Sequence, residues 1–313
     1  MQITRKLKTL WAVLKQSGSE FIDDKVLKLS AALAYYTIFS VAPMLIIIIF
    51  LCDLFLGKDA VEGNIYGQIQ GLVGSEAALQ IQAMIRNASL SGDMSWATIV
   101  GFVTLIIGAT GVFAEIQDSI NYIWRLKSKP KKNGLVRMLL NRLLSFSLVI
   151  SLGFILLVSL AINGLVELFS SLIIQLLPGK LTSSILFSLA DFVVPFIVIA
   201  SLFAIIFKVL PDARIRWKDV RVGAIATAVL FMFGKFAIGY YLGASKVTST
   251  YGAAGSIVII LLWVYYSAAI LYFGAVFTRV YVQYSGAQIY PTEYAVWIKQ
   301  IEVPHDPEKV EEG

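Results

Sequence analysis

The sequence predicts an all-α membrane protein with six transmembrane helices and both termini in the cytoplasm. Apolar residues make up 58% of the 313 residues and charged residues only 15%, whereas a soluble globular chain has roughly 45–50% and 25%. A mean hydropathy of +0.78 is too high for a soluble protein of this length, which needs charge on its surface. Uncharged runs of about 20 residues also recur along the chain, and that length of helix crosses about 30 Å of hydrocarbon.

Six segments with few or no charges supply the predicted helices. They form a single membrane domain, residues 29–285. The fourth segment contains one acid, Asp191, and the fifth contains one base, Lys235. The sixth lies in a longer uncharged run, which has room for a re-entrant or interfacial lead-in. The predicted spans are 31–52, 96–114, 143–166, 184–207, 222–243 and 255–278.

Lysine and arginine residues predict the orientation, because positive charge beside a span is retained on the cytoplasmic side. Six of these residues precede the first span, seven lie between the second and third, five between the fourth and fifth, and three follow the sixth. These make 21, against four on the opposite side. The termini are therefore predicted to be cytoplasmic.

Three segments outside the predicted spans have their own predicted structure or position. In residues 1–28, Leu7, Trp11 and Leu14 recur at helical spacing opposite several bases, which favours an amphipathic helix on the cytoplasmic membrane surface. A solvated helix packed on a cytoplasmic loop is the alternative. The loop 53–95 is predicted to lie on the outer side, as a structural cap or a gating lid. Residues 286–313 are predicted to form a cytoplasmic tail.

Two charged residues within the spans are candidate binding residues, because an ionisable group in hydrocarbon usually faces protein or water. Stepping by four from Lys235 reaches Gly239 and Gly243, and small residues allow another helix to approach closely. Lys235 is thus expected to point into the bundle, where it pairs with Asp191 or shares a polar cavity with it. The alternatives are a lysine that extends to the membrane surface and an aspartate that caps a helix.

Four further residues are assigned to the same candidate site. Pro43 and Pro195 interrupt the first and fourth spans, and each frees a carbonyl that could face a cavity. Tyr35 and Tyr36 add hydroxyl groups near the cytoplasmic end of the first span. Simple helix bends and an interfacial aromatic belt are the alternative interpretations.

The basic loops are predicted to bind anionic lipid headgroups, since their charges lie directly beside the membrane. Nucleic-acid binding is not expected, because no basic stripe is interleaved with aromatic residues. The residues assigned to lipid contact are Arg125, Lys127, Lys129, Lys131, Lys132, Arg214 and Arg216.

The residue inventory argues against an enzyme. The chain has one cysteine, Cys52, and one histidine, His305, so a disulfide framework, a cysteine-rich zinc site and most acid–base chemistry are excluded. There is no zinc-binding His-Glu-x-x-His motif and no glycine-rich phosphate loop. We therefore expect no metal, no cofactor and no catalytic residue.

Several stretches together resemble the BrkB/YihY family of bacterial inner-membrane proteins, over about residues 20–285. One departure is Val276, where the family commonly has glutamate after Gly-Ala. The matching stretches are AYYTIFSVAP at 34–43, IQDSINYIW at 116–124, LP at 210–211 with WKDV at 217–220 and GA at 223–224, and YGAAG at 251–255 leading into LLWVYYSA at 261–268.

This resemblance implies a six-span protein of the bacterial inner membrane, in a family with members linked to serum resistance and to lipid or solute export. It also implies an older ribonuclease label, which a single histidine near the C-terminus does not support. The expected function is transport of an amphiphilic or anionic substrate, lipid-linked substrates included. The alternative is a non-transporting membrane scaffold that binds anionic lipid or a partner protein.

Overall fold

The computed structural model describes residues 2–40, 79–80, 82, 111–129, 180–244 and 255–299. The predicted span 143–166, most of 96–114 and most of the loop 53–95 lie outside the described residues. So do the last part of the first span and residues 300–313. Within the described part, the chain is mainly helical with four short strands.

The N-terminal part consists of two consecutive helices, α1 (Gln2–Asp23) and α2 (Val26–Ser40). Lys25 separates them with a left-handed backbone conformation at φ 52°. Its N–H donates to the carbonyl of Ile22 at 2.9 Å, which closes the last turn of α1 in the manner of a helix C-cap. The predicted surface helix and first span are therefore distinct helices that meet at residues 24–25.

Helix α3 (111–123) ends in the same way, at Arg125 with φ 59°, and leads into strand β1 (Leu126–Ser128). The Trp124 indole N–H donates to the carbonyl of Ala275 at 3.0 Å, which fixes this end of α3 against the last long helix.

Three long helices follow. Helix α4 (Lys180–Val209) contains Pro195 and includes the predicted span 184–207. Helix α5 (Trp217–Ala244) includes the predicted span 222–243, and helix α6 (Gly255–Tyr284) extends six residues beyond the predicted span 255–278. By length and composition, two helices in the described part could cross a membrane, Trp217–Ala244 and Ile257–Tyr284.

The short strands form two antiparallel pairs at one end of the helices. Strand β1 pairs with β4 (Ala295–Trp297), with Leu126 opposite Trp297. Strand β2 (Ala213–Arg214) pairs with β3 (Tyr290–Pro291). The first half of the segment predicted as a tail thus adds a strand to each of two interhelical connections. We call these strands and their connections the strand layer.

Polar contacts around Asp212 hold the strand layer together. Its carboxylate accepts hydrogen bonds from Asn121 at 3.1 Å and from Ser128 at 2.6 Å. Its backbone N–H donates to the side-chain oxygen of Asn121 at 2.9 Å, and its carbonyl accepts from the backbone N–H of Thr292 at 3.0 Å. Asp212 therefore joins α3, β1 and the C-terminal strands to the connection between α4 and α5.

Helices α5 and α6 are antiparallel and approach closely through a reciprocal arrangement of glycine and threonine. A Cβ at Gly223 would overlap the side chain of Thr278, and a Cβ at Gly274 would overlap that of Thr227. Each threonine hydroxyl donates to its own helix at 2.7 Å, Thr227 to Gly223 and Thr278 to Gly274. Both hydroxyls are thus hydrogen-bonded within an apolar interface, as small-residue packing between membrane helices requires.

Candidate functional site

Lys235 lies in α5, at about 27 Å from the Trp217 end at a rise of about 1.5 Å per residue. Its side chain is half-buried, and the ammonium nitrogen lies 5.4 Å from the centre of the Phe236 ring. A cation over an aromatic face is stabilised by about 0.5–2 kcal/mol, depending on desolvation. The structure therefore places a single basic side chain deep within a helix long enough to span a membrane.

Helix α6 brings three polar side chains to the same depth. A Cβ at Gly234 would overlap the Tyr266 side chain, so α5 and α6 are in close contact beside Lys235. The next residue, Ser267, and Trp263 one turn away each have a buried polar atom, the hydroxyl oxygen and the indole nitrogen. We call Lys235, Trp263, Tyr266 and Ser267 the polar layer.

Phe231 connects this layer across three helices. Its ring contacts Trp263 at 6.2 Å and 84°, and Phe203 of α4 at 5.8 Å and 68°, both edge-to-face arrangements. Lys235 follows Phe231 by one helical turn, so the two side chains share a face of α5. The Trp263 indole is therefore held next to the face of α5 that carries Lys235.

Two members of the polar layer, Trp263 and Ser267, have unused hydrogen-bonding capacity. In the part of the chain that the structure describes, the Trp263 indole N–H and the Ser267 hydroxyl have no hydrogen-bond partner. A buried polar group without a partner costs about 1–3 kcal/mol, so both groups favour an acceptor brought by a ligand, a water or another segment. An ammonium, an indole N–H and a hydroxyl are all donors, a set suited to an anion.

A large apolar side chain, that of Phe236, lies beside Lys235 on the exposed side of α5. An anionic headgroup bound at the polar layer would thus have apolar surface beside it for a hydrocarbon chain. The arrangement therefore fits an amphiphile better than a fully polar solute.

The other predicted site residues are placed as follows. Pro195 is half-buried in α4, where Phe192 and Phe196 stack with ring centres 6.5 Å apart. The backbone of Asp191 lies in the same helix, but its side chain is outside the described part, so pairing with Lys235 stays a prediction. Tyr35 and Tyr36 are exposed on α2 in edge-to-face contact at 6.0 Å. Pro43 lies outside the described residues.

A second polar site, which the sequence did not indicate, lies beside the strand layer. The Arg279 guanidinium contacts the carboxylates of Glu20 and Asp24, the latter at 3.0 Å, and donates to the carbonyl of Ile123. Arg125 reaches the other oxygen of Asp24 at 2.7 Å. We call Glu20, Asp24, Arg125 and Arg279 the charge cluster.

The charge cluster is largely removed from solvent, since the side chains of Asp24 and Arg279 are only 1% and 5% exposed. Removing ions from water costs several kcal/mol per ion, which only close pairing offsets. Glu20 and Asp24 flank the end of α1, Arg125 follows α3, and Arg279 lies in α6. The cluster thus joins three helices that are far apart in sequence.

The bases assigned to lipid contact have different environments. Arg125 pairs with Asp24, and Arg214 forms an exposed pair with Glu293 at 3.3 Å. Arg216 donates to Asp219 at 2.8 Å, and this hydrogen bond raises the pKa of the Arg216 guanidinium above its ordinary value. The remaining bases are Lys127 and Lys129, which are exposed, and Lys131 and Lys132, which lie outside the described residues.

Potential metal ligands are not clustered in the described segments, where no group of three or more His, Cys, Asp or Glu side chains could hold a metal ion. Val276, where the sequence departs from the family it resembles, is fully buried on α6.

Comparison with known proteins gives a consistent result. The chain matches the family model described as virulence factor BrkB over residues 18–294. It is 27% identical over 247 residues to a UPF0761 membrane protein of Stenotrophomonas maltophilia, which covers 78% of this chain and 55% of that protein. It is 28% identical over 262 residues to UPF0761 membrane proteins of Xanthomonas campestris and Xanthomonas axonopodis, covering 82% of this chain and 57% of each.

The chain therefore spans just over half the length of the curated relatives it matches. No solved structure matches it. The resemblance stated from the sequence motifs is confirmed, because the family model covers both long apolar helices and strands β1 to β3. On these grounds the chain is a membrane protein that belongs to the BrkB family.

Proposed function

We propose that this protein transports an anionic amphiphile, lipid-linked substrates included, across the bacterial inner membrane through a cleft at the polar layer. The observation that carries the proposal is Lys235, a half-buried base in a helix of membrane-spanning length, at the same depth as two buried donors on α6. An intramembrane ionisable group is costly to maintain, and such groups usually mark a substrate or ion pathway. No catalytic step forms part of this proposal.

We also propose six spans with both termini in the cytoplasm. The strand layer supports this, since β2 and β3 pair directly and two long helices, α5 and α6, separate them in sequence. All four strands therefore lie on one side of the membrane, and the chain must cross the membrane an even number of times between any two of them. Between β1 and β2, α4 provides one crossing, and the predicted span 143–166 would provide the second.

The alternative is a scaffold that binds anionic lipid without transport. Exposed bases in the strand layer, such as Lys127, favour it, together with the exposed rings of Trp217 and Trp297. Tryptophan and lysine at a membrane surface are common in proteins that only anchor there. The two functions differ in whether water reaches Lys235.

Cysteine accessibility tests this difference in the full-length protein with Cys52→Ser, reconstituted in lipid nanodiscs. Transport predicts that Lys235→Cys reacts with a charged, membrane-impermeant methanethiosulfonate reagent. Phe233→Cys is the matched control, because it lies at the same depth and about 200° around α5. The expected result is reaction at position 235 at least ten times faster than at 233. Equal rates, or no reaction at either position, would reject a cleft and favour the scaffold.

Mass spectrometry of co-purified lipid tests the role of the charge. A hydrogen bond to a charged group contributes about 1.5–3 kcal/mol, which corresponds to roughly tenfold or more in affinity. Lys235→Gln should therefore retain at least tenfold less anionic lipid than the wild type, while Lys235→Arg should retain most of it. Undiminished retention by Lys235→Gln would show that the bound lipid contacts other bases.

A further inference from the structure

Helix α1 has one buried face, which packs on α6. Val13 and Ser17 on this face are fully buried, and the Phe21 ring lies 5.9 Å from that of Phe273. Glu20, one turn beyond Ser17, contacts Arg279. The helix is thus attached to a membrane-spanning helix by both apolar and ionic contacts.

A second side of α1, about a quarter turn from the buried face, carries an uncovered apolar stripe, formed by Trp11, Leu14, Gly18 and Ile22. The spacing of three, four and four residues puts all four on one line of the helix surface. The Trp11 side chain is 71% exposed and that of Ile22 is 75% exposed. Among the described residues, a Cβ at Gly18 would have nothing within 4 Å, so the centre of the stripe is open there.

Exposed apolar side chains in a continuous stripe mark an interaction surface more often than isolated ones do. Helix burial against α6 cannot account for this stripe, because the buried face lies elsewhere on the helix. The sequence left open whether this helix packs on protein or lies on the membrane. In the structure, one face packs on protein and another apolar face remains available.

Charge indicates the nature of the partner. Lys8 and Lys15 are exposed and border the stripe, and Lys25 and Lys28 are exposed just beyond its end. A basic border along an apolar helix face is complementary to a surface that is apolar inside and anionic outside. The cytoplasmic leaflet of a bilayer has this composition.

Position supports the same partner. Phe21 and Glu20 hold α1 against α6, and α6 is one of the two described helices long enough to cross a membrane. The bilayer that surrounds α6 is therefore always adjacent to α1. A soluble protein partner would instead have to reach the stripe at the membrane surface.

We propose that the apolar stripe of α1 inserts into the headgroup region of the leaflet on the strand-layer side, and that Lys8 and Lys15 bind anionic phospholipid there. The tryptophan ring lies at the depth where membrane proteins concentrate this residue. Insertion also fixes α6 relative to the membrane surface, because the charge cluster connects the two helices.

Spin-label accessibility tests the insertion in the full-length protein with Cys52→Ser, in nanodiscs of phosphatidylcholine with or without phosphatidylglycerol. A label at Ile22→Cys should be reached readily by oxygen and poorly by a water-soluble nickel chelate. Ser19→Cys is the matched control, because it is exposed on α1 but outside the stripe. The control label should show the reverse accessibility. Equal accessibility at the two positions would overturn the proposal.

The role of the lysines is tested with Lys8→Gln and Lys15→Gln combined. In the wild-type background, phosphatidylglycerol should make the Ile22→Cys label insert more deeply. The double lysine variant should lose this difference between the two lipid compositions. Lys218→Gln with Arg221→Gln removes the same charge from exposed positions on α5 and should not change it. An equal effect of both double variants would reject specific binding at α1. Dipolar coupling between labels on two copies would also overturn the proposal, since a second chain would then cover the stripe.

Discussion

Arg279 is the residue on which the contacts between distant helices converge. Its guanidinium contacts Glu20, which lies in α1, and Asp24, which follows α1. It also donates to the carbonyl of Ile123 at the end of α3. Two non-glycine residues with left-handed backbone, Lys25 and Arg125, lie next to these contacts. The left-handed region disfavours residues with a Cβ, so tertiary contacts must hold these turns. The pairing of Arg125 with Asp24 is one such contact.

Arg279→Gln should markedly destabilise the folded protein. It leaves the buried Asp24 carboxylate without one of its cations, and breaking a buried pair costs roughly 3–5 kcal/mol. Arg214→Gln removes an arginine from an exposed pair and should cost less than about 1 kcal/mol. The measurement is the Tm of detergent-solubilised protein, from the folded fraction after heating. Equal Tm losses in the two variants would show that the cluster has no special stability.

A double-mutant cycle separates pairing from other effects of Arg279. Adding Asp24→Asn to Arg279→Gln should cost less than the two single losses together, because the neutral amide no longer needs a cation. Additive losses would place the effect of Arg279 in its other contacts, such as that with Glu20.

The charge cluster also shows what sequence patterns omit. Counting bases assigns Arg125 and Arg279 to a side of the membrane but gives them no partner. Glu20 and Asp24 are over 250 residues from Arg279 in sequence, so no local periodicity relates them. Lys235 could be identified from the sequence, in contrast, because a base within an uncharged run is conspicuous by itself.

At the scale of elements, α5 and α6 meet at glycines other than the two that the sequence pattern singled out. The sequence pointed to Gly239 and Gly243 because of their spacing. In the described part of the chain, a Cβ at Gly239 meets nothing within 4 Å, whereas Gly223 and Gly274 have threonine side chains directly above them. A spacing of four identifies a helix face, but only the fold determines which face meets a neighbour.

Gly274→Ala and Gly223→Ala should each separate α5 from α6 and lower the Tm. A methyl group at either position overlaps a threonine that is itself hydrogen-bonded to its helix, and overpacking costs typically 1–3 kcal/mol. Gly239→Ala is the matched control on the same helix as Gly223. It should leave the Tm unchanged or raise it, because alanine favours the helix by about 1 kcal/mol. A Tm loss at Gly239→Ala as large as at Gly274→Ala would contradict the assigned interface.

At the scale of the whole molecule, the strand layer determines the architecture more than any single helix does. The sequence located the ends of the described long helices to within six residues, since the hydropathy of a segment reports its burial in lipid. It did not indicate that residues 290–297 return to pair with the segments after α3 and α4. Strands of two or three residues are too short to show alternation of apolar and polar residues, and their pairing depends on the helices that bring them together.

This pairing makes the proposed topology testable with one set of variants. Lys127, Arg214 and Glu293 are exposed in the strand layer, and Ala244 is exposed at the far end of α5. We expect cysteines at the first three positions, in protein with Cys52→Ser, to react with an impermeant maleimide only after permeabilisation of bacterial spheroplasts. Ala244→Cys should react without it. Labelling of Lys127→Cys and Arg214→Cys from opposite sides would reject the six-span arrangement, because β1 and β2 both pair with the same C-terminal segment. Labelling of all three from outside would keep the spans but invert the orientation, and with it the leaflet into which α1 inserts.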